Sequence, residues 1–340
     1  MISPVDPLVA AICRKEGLGM GDVQVLSGGQ VNRVYLLDGT TVLRIGGRAD
    51  AAARLKQESA LLSSLAGDMP VPRVLAWGEL DGQAYQVQTR LKGQKLSELW
   101  TVLSAREQDG IAAELAEALQ VLHSRGAGDY GPLGPDGFGK PDAESQGWRP
   151  APPPSWESYL CADFEHTLAE IRALGLRMMP GFVELAQAYF EQHRAQLAGG
   201  AAVLVHSDLT LVNLLAQDGH LTGILDFEFA LYAPRDYELW AMEAFCLYPD
   251  DWGEEGQKSY CSADFASFLP LLRRHYPALF DCEQSLRERL NLYQLNTALS
   301  SYLDWRKDNL AQIPPERMAA KEFYMARITN FLSSHGARMI

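Results

Sequence analysis

The residues best suited to chemistry lie in one stretch, between positions 203 and 228. An apolar run ends at His206, and a short polar segment that carries Asp208 follows it. Asn213 comes next, and Asp226 lies near the end of the stretch, in the sequence Asp-Phe-Glu. Carboxylate and amide oxygens can bind a hard metal ion, and a carboxylate can also accept a proton from a hydroxyl group.

A predicted hairpin brings two of these side chains together. Residues 214–225 contain two short apolar runs on either side of Asp218-Gly219, a dipeptide typical of tight hairpin turns. With a two-residue turn, Asn213 faces Ile224, and Asp226 lies just beyond. We therefore expect Asn213 and Asp226 to meet at the open end of the hairpin.

Oxygen ligands that converge at strand ends suit a magnesium ion that carries phosphate. Magnesium takes few protein oxygens and completes its octahedron with phosphates and water. Asn213 and Asp226 are therefore the predicted magnesium ligands. Asp208 is predicted to orient a substrate hydroxyl group and to accept its proton, while His206 braces the segment.

A small sheet with one inserted helix is predicted for the first 91 residues. The predicted strands are rich in β-branched and apolar residues, and Asp38-Gly39 provides a turn between the first two. Residues 49–66 have high helix propensity and leucines spaced for one helix face. The predicted strands are 31–37, 41–45, 73–77 and 85–91, and residues 1–16 form a further helix.

The remainder of the chain reads as mostly helical, apart from the strand-rich stretch described first. Residues 125–155 contain 7 Gly and 7 Pro, which is typical of a long surface loop. The predicted helices are 107–123, 155–175, 180–198, 235–247, 258–276, 284–306 and 315–334.

Composition excludes several classes of protein. With 30 Lys+Arg against 43 Asp+Glu, the net charge of −13 argues against a nucleic-acid partner. We expect no membrane segment, because no apolar run is long enough to span a bilayer. The five cysteines are scattered and never spaced Cys-x-x-Cys, so we expect reduced thiols, no zinc site and a cytoplasmic location.

The spacing His-x-Asp-x-x-x-x-Asn over 206–213, followed by Asp226-Phe227-Glu228, resembles the catalytic and magnesium loops of the aminoglycoside phosphotransferase family. The resemblance implies an α+β, two-lobed, protein-kinase-like fold. Its N-lobe, residues 1–91, would be a small antiparallel nucleotide-binding sheet with one helix. Its larger C-lobe, residues 92–340, would be mostly helical and hold the catalytic and magnesium loops, with ATP bound between the lobes.

The resemblance extends upstream, over the predicted sheet. Residues 26–35 look like the family's nucleotide-binding loop, in which Ser27, Gly28 and Gly29 let backbone N–H groups approach phosphate. Arg44 matches the cation of the phosphate site, and Glu58 matches the acid that holds it. The hinge that meets adenine corresponds to Gln88, Thr89 and Leu91.

Three residues depart from the family's usual pattern. Arg44 stands where well-known members have Lys, and Arg and Lys are not interchangeable at a phosphate site. Ser207 occupies the usual Gly between His206 and Asp208. Glu238, in a segment similar to the family's acidic helix start, replaces the commoner Asp and is expected to brace the core from behind.

The resemblance implies transfer of the γ-phosphoryl group of ATP, with Mg²⁺, to a hydroxyl group of a small molecule. The acceptor is expected to be cationic, such as an aminoglycoside, choline, a fructosamine or a homoserine-like compound. The alternative is a regulatory pseudokinase that binds nucleotide without turnover. A P-loop enzyme is excluded, because the near match at 134–141 has Pro141 where a magnesium-binding hydroxyl group is required.

The acidic stretch 226–255 leaves two interpretations open. It holds nine acidic residues against one Arg, which suits a solvated surface. Alternatively, Asp236, Glu243 or Asp250-Asp251 line a pocket for the cationic acceptor.

Overall fold

The structure is a computed structural model. It describes residues 6–26, 32–47, 50–126, 129–134, 155–176, 178, 181–252, 260–281, 283–309, 328, 329 and 332. The described residues form two compact units. The first lies within Met1–Ser124, Pro132–Pro150 and Thr210–Leu231, and the second within Arg125–Gly131, Ala151–Leu209 and Tyr232–Ile340.

A five-stranded antiparallel sheet dominates the first unit. Its strands are β1 (Gln24–Leu26), β2 (Arg33–Leu37), β3 (Thr41–Ile45), β4 (Val74–Leu80) and β5 (Gln83–Thr89), in the order β1-β2-β3-β5-β4. The predicted antiparallel sheet is thus confirmed, but β1 was not predicted, β4 extends three residues beyond its predicted end, and β5 begins and ends two residues earlier than predicted. The predicted turn is confirmed as well, since Asp38 and Gly39 both have positive φ and Asp38 accepts hydrogen bonds from the backbone of Thr40 and Thr41.

Helix α1 (Pro7–Glu16) covers one face of this sheet. Asp6 caps its start, where the side chain accepts a hydrogen bond from the N–H of Leu8, and Gly17 caps its end in the left-handed conformation. Its apolar residues pack on alternate residues of the strands, because successive side chains of a strand point to opposite faces. This core consists of Val9, Ile12, Cys13, Tyr35, Leu37, Leu43, Ile45, Tyr85 and Val87.

Helix α2 (Ala51–Leu65) covers the opposite face, where the polar residues of β3 and β5 lie. Ala51 and Leu55 pack on Ala84, and Gln86 donates a hydrogen bond to the Ser59 hydroxyl at 2.9 Å. Arg44 stands between two residues of the α1 core in the sequence, so it lies on the α2 face. The strand alternation thereby directs this arginine toward α2.

A second, three-stranded sheet completes the first unit. It contains β6 (Gln94–Lys95), β9 (Leu214–Gln217) and β10 (His220–Ile224), in the order β10-β9-β6, and lies beside α3 (Leu96–Leu99) and α4 (Ala105–His123). Helix α4 begins two residues before the predicted start, because Ser104 and Glu107 form a capping box. Short 3-10 turns span Trp100–Val102, Leu211–Asn213 and Phe227–Phe229.

The predicted pairing of the β9–β10 hairpin is wrong by one residue at its open end. Leu214, not Asn213, faces Ile224, because the register shifts between Leu221 and Gly223. Thr222 is the extra residue of this β-bulge, and its hydroxyl donates a hydrogen bond to the carbonyl of Lys92 at 2.6 Å. The bulge therefore brings Asp226 one residue closer to Asn213.

The second unit is mostly helical. Its helices are α5 (Trp156–Ala173), α6 (Phe182–His193), α7 (Leu239–Leu247), α8 (Phe268–His275) and α9 (Glu283–Asn309). Strands β7 (Gly131–Pro132), β8 (Val203–Val205) and β11 (Leu231–Ala233) form a small sheet, in the order β7-β11-β8, most of which belongs to this unit. The 3-10 turns are Arg194–Leu197, Arg235–Glu238, Pro249–Trp252, Ser262–Phe265 and Pro277–Phe280.

The predicted helices of the second unit are confirmed, with three changes. Residues 194–197, 235–238 and 262–265 form 3-10 turns where continuous α-helix was expected. The helix predicted at 315–334, the loop predicted at 125–155 and the glycine-rich residues 27–29 lie wholly or largely outside the described residues. No helix in the part of the chain that the structure describes is long and apolar enough to cross a membrane.

Candidate active site

A buried ion pair joins the sheet of the first unit to α2. Nη1 of Arg44 in β3 donates to both carboxylate oxygens of Glu58 in α2, at 2.7 and 2.6 Å. The Glu58 side chain is 0% exposed, so its negative charge is stabilised by this arginine and not by water. Burial raises the pKa of Glu58, and the charge of Arg44 opposes that effect.

The same arginine also binds the loop that follows β10. Nη2 of Arg44 donates to Oδ1 of Asp226 at 2.9 Å and to Oε2 of Glu228 at 3.3 Å. Oε1 of Glu58 accepts a further hydrogen bond, from the backbone N–H of Phe227 at 3.1 Å. One cation thus holds three carboxylates, and we call Arg44, Glu58, Asp226 and Glu228 the arginine–carboxylate cluster.

Charge within this cluster is unbalanced. Burial alone would lower the pKa of Arg44, but the three carboxylates raise it above the ordinary arginine value. Burial, and then the charge of Asp226, raise the pKa of Glu228 to about 7. Because one guanidinium neutralises only one carboxylate, the cluster has an excess of negative charge that favours a bound cation.

Asp226 and Asn213, the predicted magnesium ligands, are neighbours. The backbone N–H of Leu225 donates to the carbonyl of Asn213 at 2.9 Å, which fixes the residue before Asp226 against Asn213. Asp226 has φ +67°, and its side chain is 39% exposed. The carboxylate of Asp226 is therefore accessible to a ligand, and a carboxylate with an asparagine amide is a donor set that fits magnesium.

The residues predicted to meet adenine lie at the end of β5 and just beyond it. The N–H of Thr89 already donates to the carbonyl of Arg73, at 2.9 Å. The Gln88 side chain is buried, and its Oε1 has no hydrogen-bond partner among the described residues. The N–H of Leu91 has no backbone partner in the described part of the chain, so it is the best placed of these backbone donors for a base.

In the second unit, the segment 206–208 is held in a fixed conformation by Glu238. Oε2 of Glu238 accepts a hydrogen bond from the backbone N–H of His206 at 2.8 Å, and both residues are fully buried. Nδ1 of His206 in turn accepts a hydrogen bond from the backbone N–H of Asp208 at 3.3 Å. Asp208 itself is half-buried, so these contacts present its side chain at the surface of the unit.

Ser207 explains one departure from the family pattern. Its φ of +67° is a left-handed conformation, which costs a residue with a Cβ atom about 1–2 kcal/mol and costs glycine much less. The usual glycine at this position therefore meets a backbone requirement, which Ser207 meets under strain.

Two acids of the acidic stretch, Asp236 and Glu243, are buried and paired with arginines. Asp236 binds Nε and Nη2 of Arg289 at 2.6 and 2.9 Å, and Glu243 binds both Nη atoms of Arg287 at 2.7 and 2.5 Å. Both acids are therefore held in internal ion pairs and are not part of a solvated surface. Asp250 accepts a hydrogen bond from the N–H of Tyr260, and the side chain of Asp251 lies outside the described residues.

Sequence reasoning missed several partners in these sites. The contact between Asn32 and Glu228 joins residues 196 positions apart, and no local pattern indicates it. The arginine partners of Asp236 and Glu243 come from α9, which the sequence predicts as a helix without indicating these contacts. The Asp-Phe-Glu sequence could have indicated the contact of Glu228 with Arg44. A 3-10 turn after Asp226 brings Glu228 back to the arginine that Asp226 also contacts.

The chain is similar to known phosphotransferases in sequence and in fold. The model of the phosphotransferase enzyme family matches residues 22–278. A hygromycin-B 4-O-kinase from Escherichia coli is 26% identical over 226 residues, which are 65% of this chain and 61% of that enzyme. The chain thus matches less than two thirds of the length of this curated relative.

Solved structures share the fold. A ternary complex of a thermostable mutant of aminoglycoside phosphotransferase APH(4)-Ia with AMP-PNP and hygromycin B superposes with a TM-score of 0.68. It is 18% identical and covers 98% of this chain and 100% of its own. The streptomycin–ATP complex of APH(2")-IIa superposes with a TM-score of 0.63, at 15% identity, over 98% and 99% of the two chains.

The family match covers well over half of the chain, and the folds agree along nearly its whole length. Both the predicted family and the predicted α+β fold class are thereby confirmed. The chain belongs to the phosphotransferase enzyme family and has the protein-kinase-like fold of the aminoglycoside phosphotransferases.

Proposed function

We propose that this protein is an ATP-dependent phosphotransferase, which moves the γ-phosphoryl group to a hydroxyl group of an amine-bearing small molecule. The observation that carries the proposal is the contact of Arg44 with both Glu58 and Asp226. A phosphate-binding cation and a metal-binding carboxylate are thereby held beside each other. Phosphoryl transfer depends on positioning and charge neutralisation, and such a pair serves both.

The residues of the first unit would bind the nucleotide. Magnesium, when bound to Asn213 and Asp226, would neutralise the phosphate charge that grows during transfer. Arg44 would hold the phosphates from the other side, and Glu58 would keep its guanidinium in place. Leu91 would offer its backbone N–H to the base, and Gln88 and Thr89 would shape the base site around it.

Asp208 would act on the acceptor. Its carboxylate would orient the acceptor hydroxyl group and accept its proton as the oxygen attacks the γ-phosphorus atom. The hydrogen bonds of His206 and Glu238 support this role, because a general base must stay in one orientation to be effective. Five positions separate Asp208 from Asn213, the spacing that the family uses for base and metal ligand.

The acceptor class is inferred from relatives. The curated relative acts on hygromycin B, and solved relatives hold hygromycin B or streptomycin. These molecules carry hydroxyl groups beside cationic nitrogens, so a small cationic alcohol is the proposed acceptor. Choline, fructosamines and homoserine-like compounds share this chemistry.

The division into an N-lobe of residues 1–91 and a C-lobe of residues 92–340 belongs to the same proposal. So do the glycine-rich contacts of Ser27, Gly28 and Gly29 with phosphate. A cytoplasmic location is proposed from the scattered cysteines, of which Cys13, Cys161, Cys246 and Cys261 are free thiols.

A regulatory pseudokinase is the second candidate, and one observation favours it. Both Nη atoms of Arg44 are bound by carboxylates, so phosphate can bind Nη2 only after Asp226 has left it. Such a protein would bind nucleotide and transfer nothing.

Product analysis by mass spectrometry tests the proposal. The protein is incubated with Mg-ATP or Mg-GTP and with hygromycin B, streptomycin, choline, a fructosamine or homoserine. We expect one acceptor to gain a phosphoryl group, and Asp208→Ala to lower this rate by about 10²–10⁴-fold while it still binds Mg-ATP. Nucleotide binding without transfer to any acceptor would favour the pseudokinase, and undiminished transfer by Asp208→Ala would contradict the role of Asp208.

A further inference from the structure

We propose that Glu228 is a positioning residue that links the magnesium loop to the end of the nucleotide-binding segment, through Arg44 on one side and Asn32 on the other. This inference rests on the proposed function. It assigns a role to two side chains that the reaction scheme above does not use.

One oxygen atom makes both contacts. Oε2 of Glu228 accepts a hydrogen bond from Nδ2 of Asn32 at 2.9 Å and another from Nη2 of Arg44 at 3.3 Å. The Glu228 side chain is 5% exposed and Asn32 is buried, so neither contact is a surface encounter. Asn32 belongs to residues 26–35, the segment similar to the family's nucleotide-binding loop.

The backbone of Glu228 is anchored on both sides. The preceding residue, Phe227, is buried, and its N–H donates to Glu58. The ring of the following residue, Phe229, lies 5.0 Å from the guanidinium of Arg54 in α2. Because α2 holds the turn 227–229 at both ends, the Glu228 carboxylate stays directed at Asn32, just before β2, and at Arg44 in β3.

The two acids that bind Nη2 of Arg44 differ in how much of their side chains is exposed. Asp226 is 39% exposed and can turn its carboxylate toward a cation, whereas Glu228 is almost fully enclosed. When Asp226 binds the cation, Glu228 is the acid that still accepts a hydrogen bond from Nη2 of Arg44. Arg44 therefore keeps its position while phosphate binds, and Glu228 keeps Asn32 beside it.

A double-mutant cycle with Mg-ADP binding as the readout tests this role. Calorimetry is applied to the full-length wild type, Glu228→Ala, Asn32→Ala, the double variant, Glu228→Gln and the exposed control Glu117→Gln. We expect each alanine variant to bind Mg-ADP about tenfold more weakly, the size expected for lost hydrogen bonds to charged groups. The double variant should be no weaker than either single variant, because both remove one shared link.

The conservative variant separates positioning from overall stability. Glu228→Gln keeps an acceptor for Asn32 and Arg44, so its affinity should stay within about threefold of wild type. If Glu228→Ala does not fold, Asn32→Ala and Glu228→Gln complete the test. In turnover, Asn32→Ala should raise the KM for Mg-ATP and leave the KM for the acceptor unchanged.

The outcomes distinguish this inference from the proposed function. A wild type that does not bind Mg-ADP would refute the proposed function and the inference with it. A wild type that binds Mg-ADP, together with alanine variants that bind equally well or lose affinity additively, would overturn the role of Glu228 and leave the proposed function standing.

Discussion

Arg44 donates a hydrogen bond from Nη2 to Oδ1 of Asp226 at 2.9 Å, across 182 positions of the sequence. The contact ties the residue predicted to bind phosphate to the residue predicted to bind magnesium. In the ligand-free protein, each side chain therefore helps to hold the other in position. A nucleotide phosphate that binds Arg44 would free Asp226 from this contact, and a cation that binds Asp226 would free Arg44. We therefore expect the nucleotide and the cation to bind cooperatively.

Removal of Arg44 should destabilise the protein strongly. In Arg44→Met, Glu58 stays buried without its cation, and loss of one partner of a buried ion pair costs about 3–5 kcal/mol. Urea denaturation should show this loss as a lower midpoint. The double variant Arg44→Met/Glu58→Met should be less destabilised than Arg44→Met, since it leaves no unpaired charge at position 58, and equal losses would contradict the account.

The stability of the ligand-free protein should fall as pH rises from about 5 to about 7. The pKa of Glu228 is raised from 4.5 to about 7, so between these values the folded protein binds more protons than the unfolded chain. Stability then decreases with pH, by at most about 1.4 kcal/mol per pH unit. Glu228→Gln should show a shallower decrease in urea denaturation, and an unchanged slope would show that Glu228 does not titrate in this range.

Glu238 should matter for turnover more than for nucleotide affinity. In Glu238→Ala the buried N–H of His206 loses its acceptor, at a cost of about 1–3 kcal/mol, and the segment that carries Asp208 loosens. We expect kcat to fall by at least about tenfold, with little change in the KM for Mg-ATP. Glu238→Gln retains an acceptor oxygen and should recover most of the rate, whereas equal defects in both variants would contradict a bracing role.

Glycine should be tolerated at position 207. Ser207→Gly relieves the left-handed strain but adds freedom to the unfolded chain, so the net change should be within about 1 kcal/mol and favourable. Ser207→Val should destabilise the protein, because a β-branched residue adopts φ +67° poorly. Ser124→Gly is the control, since Ser124 has φ −71° and should lose stability on substitution. Similar losses in both glycine variants would contradict the argument.

The sheet and most helices could be predicted from the sequence, because local signals determine them. Strand β3 has the predicted bounds. The Asp38-Gly39 turn determines where it starts, and its run of β-branched and apolar residues determines its length. The pairing of Arg44 with Glu58 followed from the family pattern, and it joins an adjacent strand and helix. The apolar spacing predicts α4 two residues short at its start, because the capping box of Ser104 and Glu107 determines where this helix begins.

The remainder could not be predicted, because it depends on contacts distant in sequence. The β-bulge at Thr222 is accompanied by two such contacts. The Thr222 hydroxyl donates a hydrogen bond to the carbonyl of Lys92, and Gly223 lies so close to Leu91 that a Cβ atom there would be 2.7 Å from the leucine side chain. Nothing in residues 214–225 indicates either partner. The link from Asn32 to Glu228 likewise exists only in the folded chain, as does the pairing of Asp236 with Arg289.

The melting temperature with and without Mg-nucleotide tests the central claim most directly. It is measured with Mg-ATP, Mg-GTP, Mg²⁺ alone and no ligand, for the wild type, Asp226→Ala and the exposed control Asp22→Ala. Nucleotide at about 100 times its Kd should add roughly 2.7 kcal/mol, a shift of several degrees that requires magnesium. The account predicts this shift in the wild type and in Asp22→Ala and its loss in Asp226→Ala. No shift with either nucleotide, or a full shift in Asp226→Ala, would contradict it.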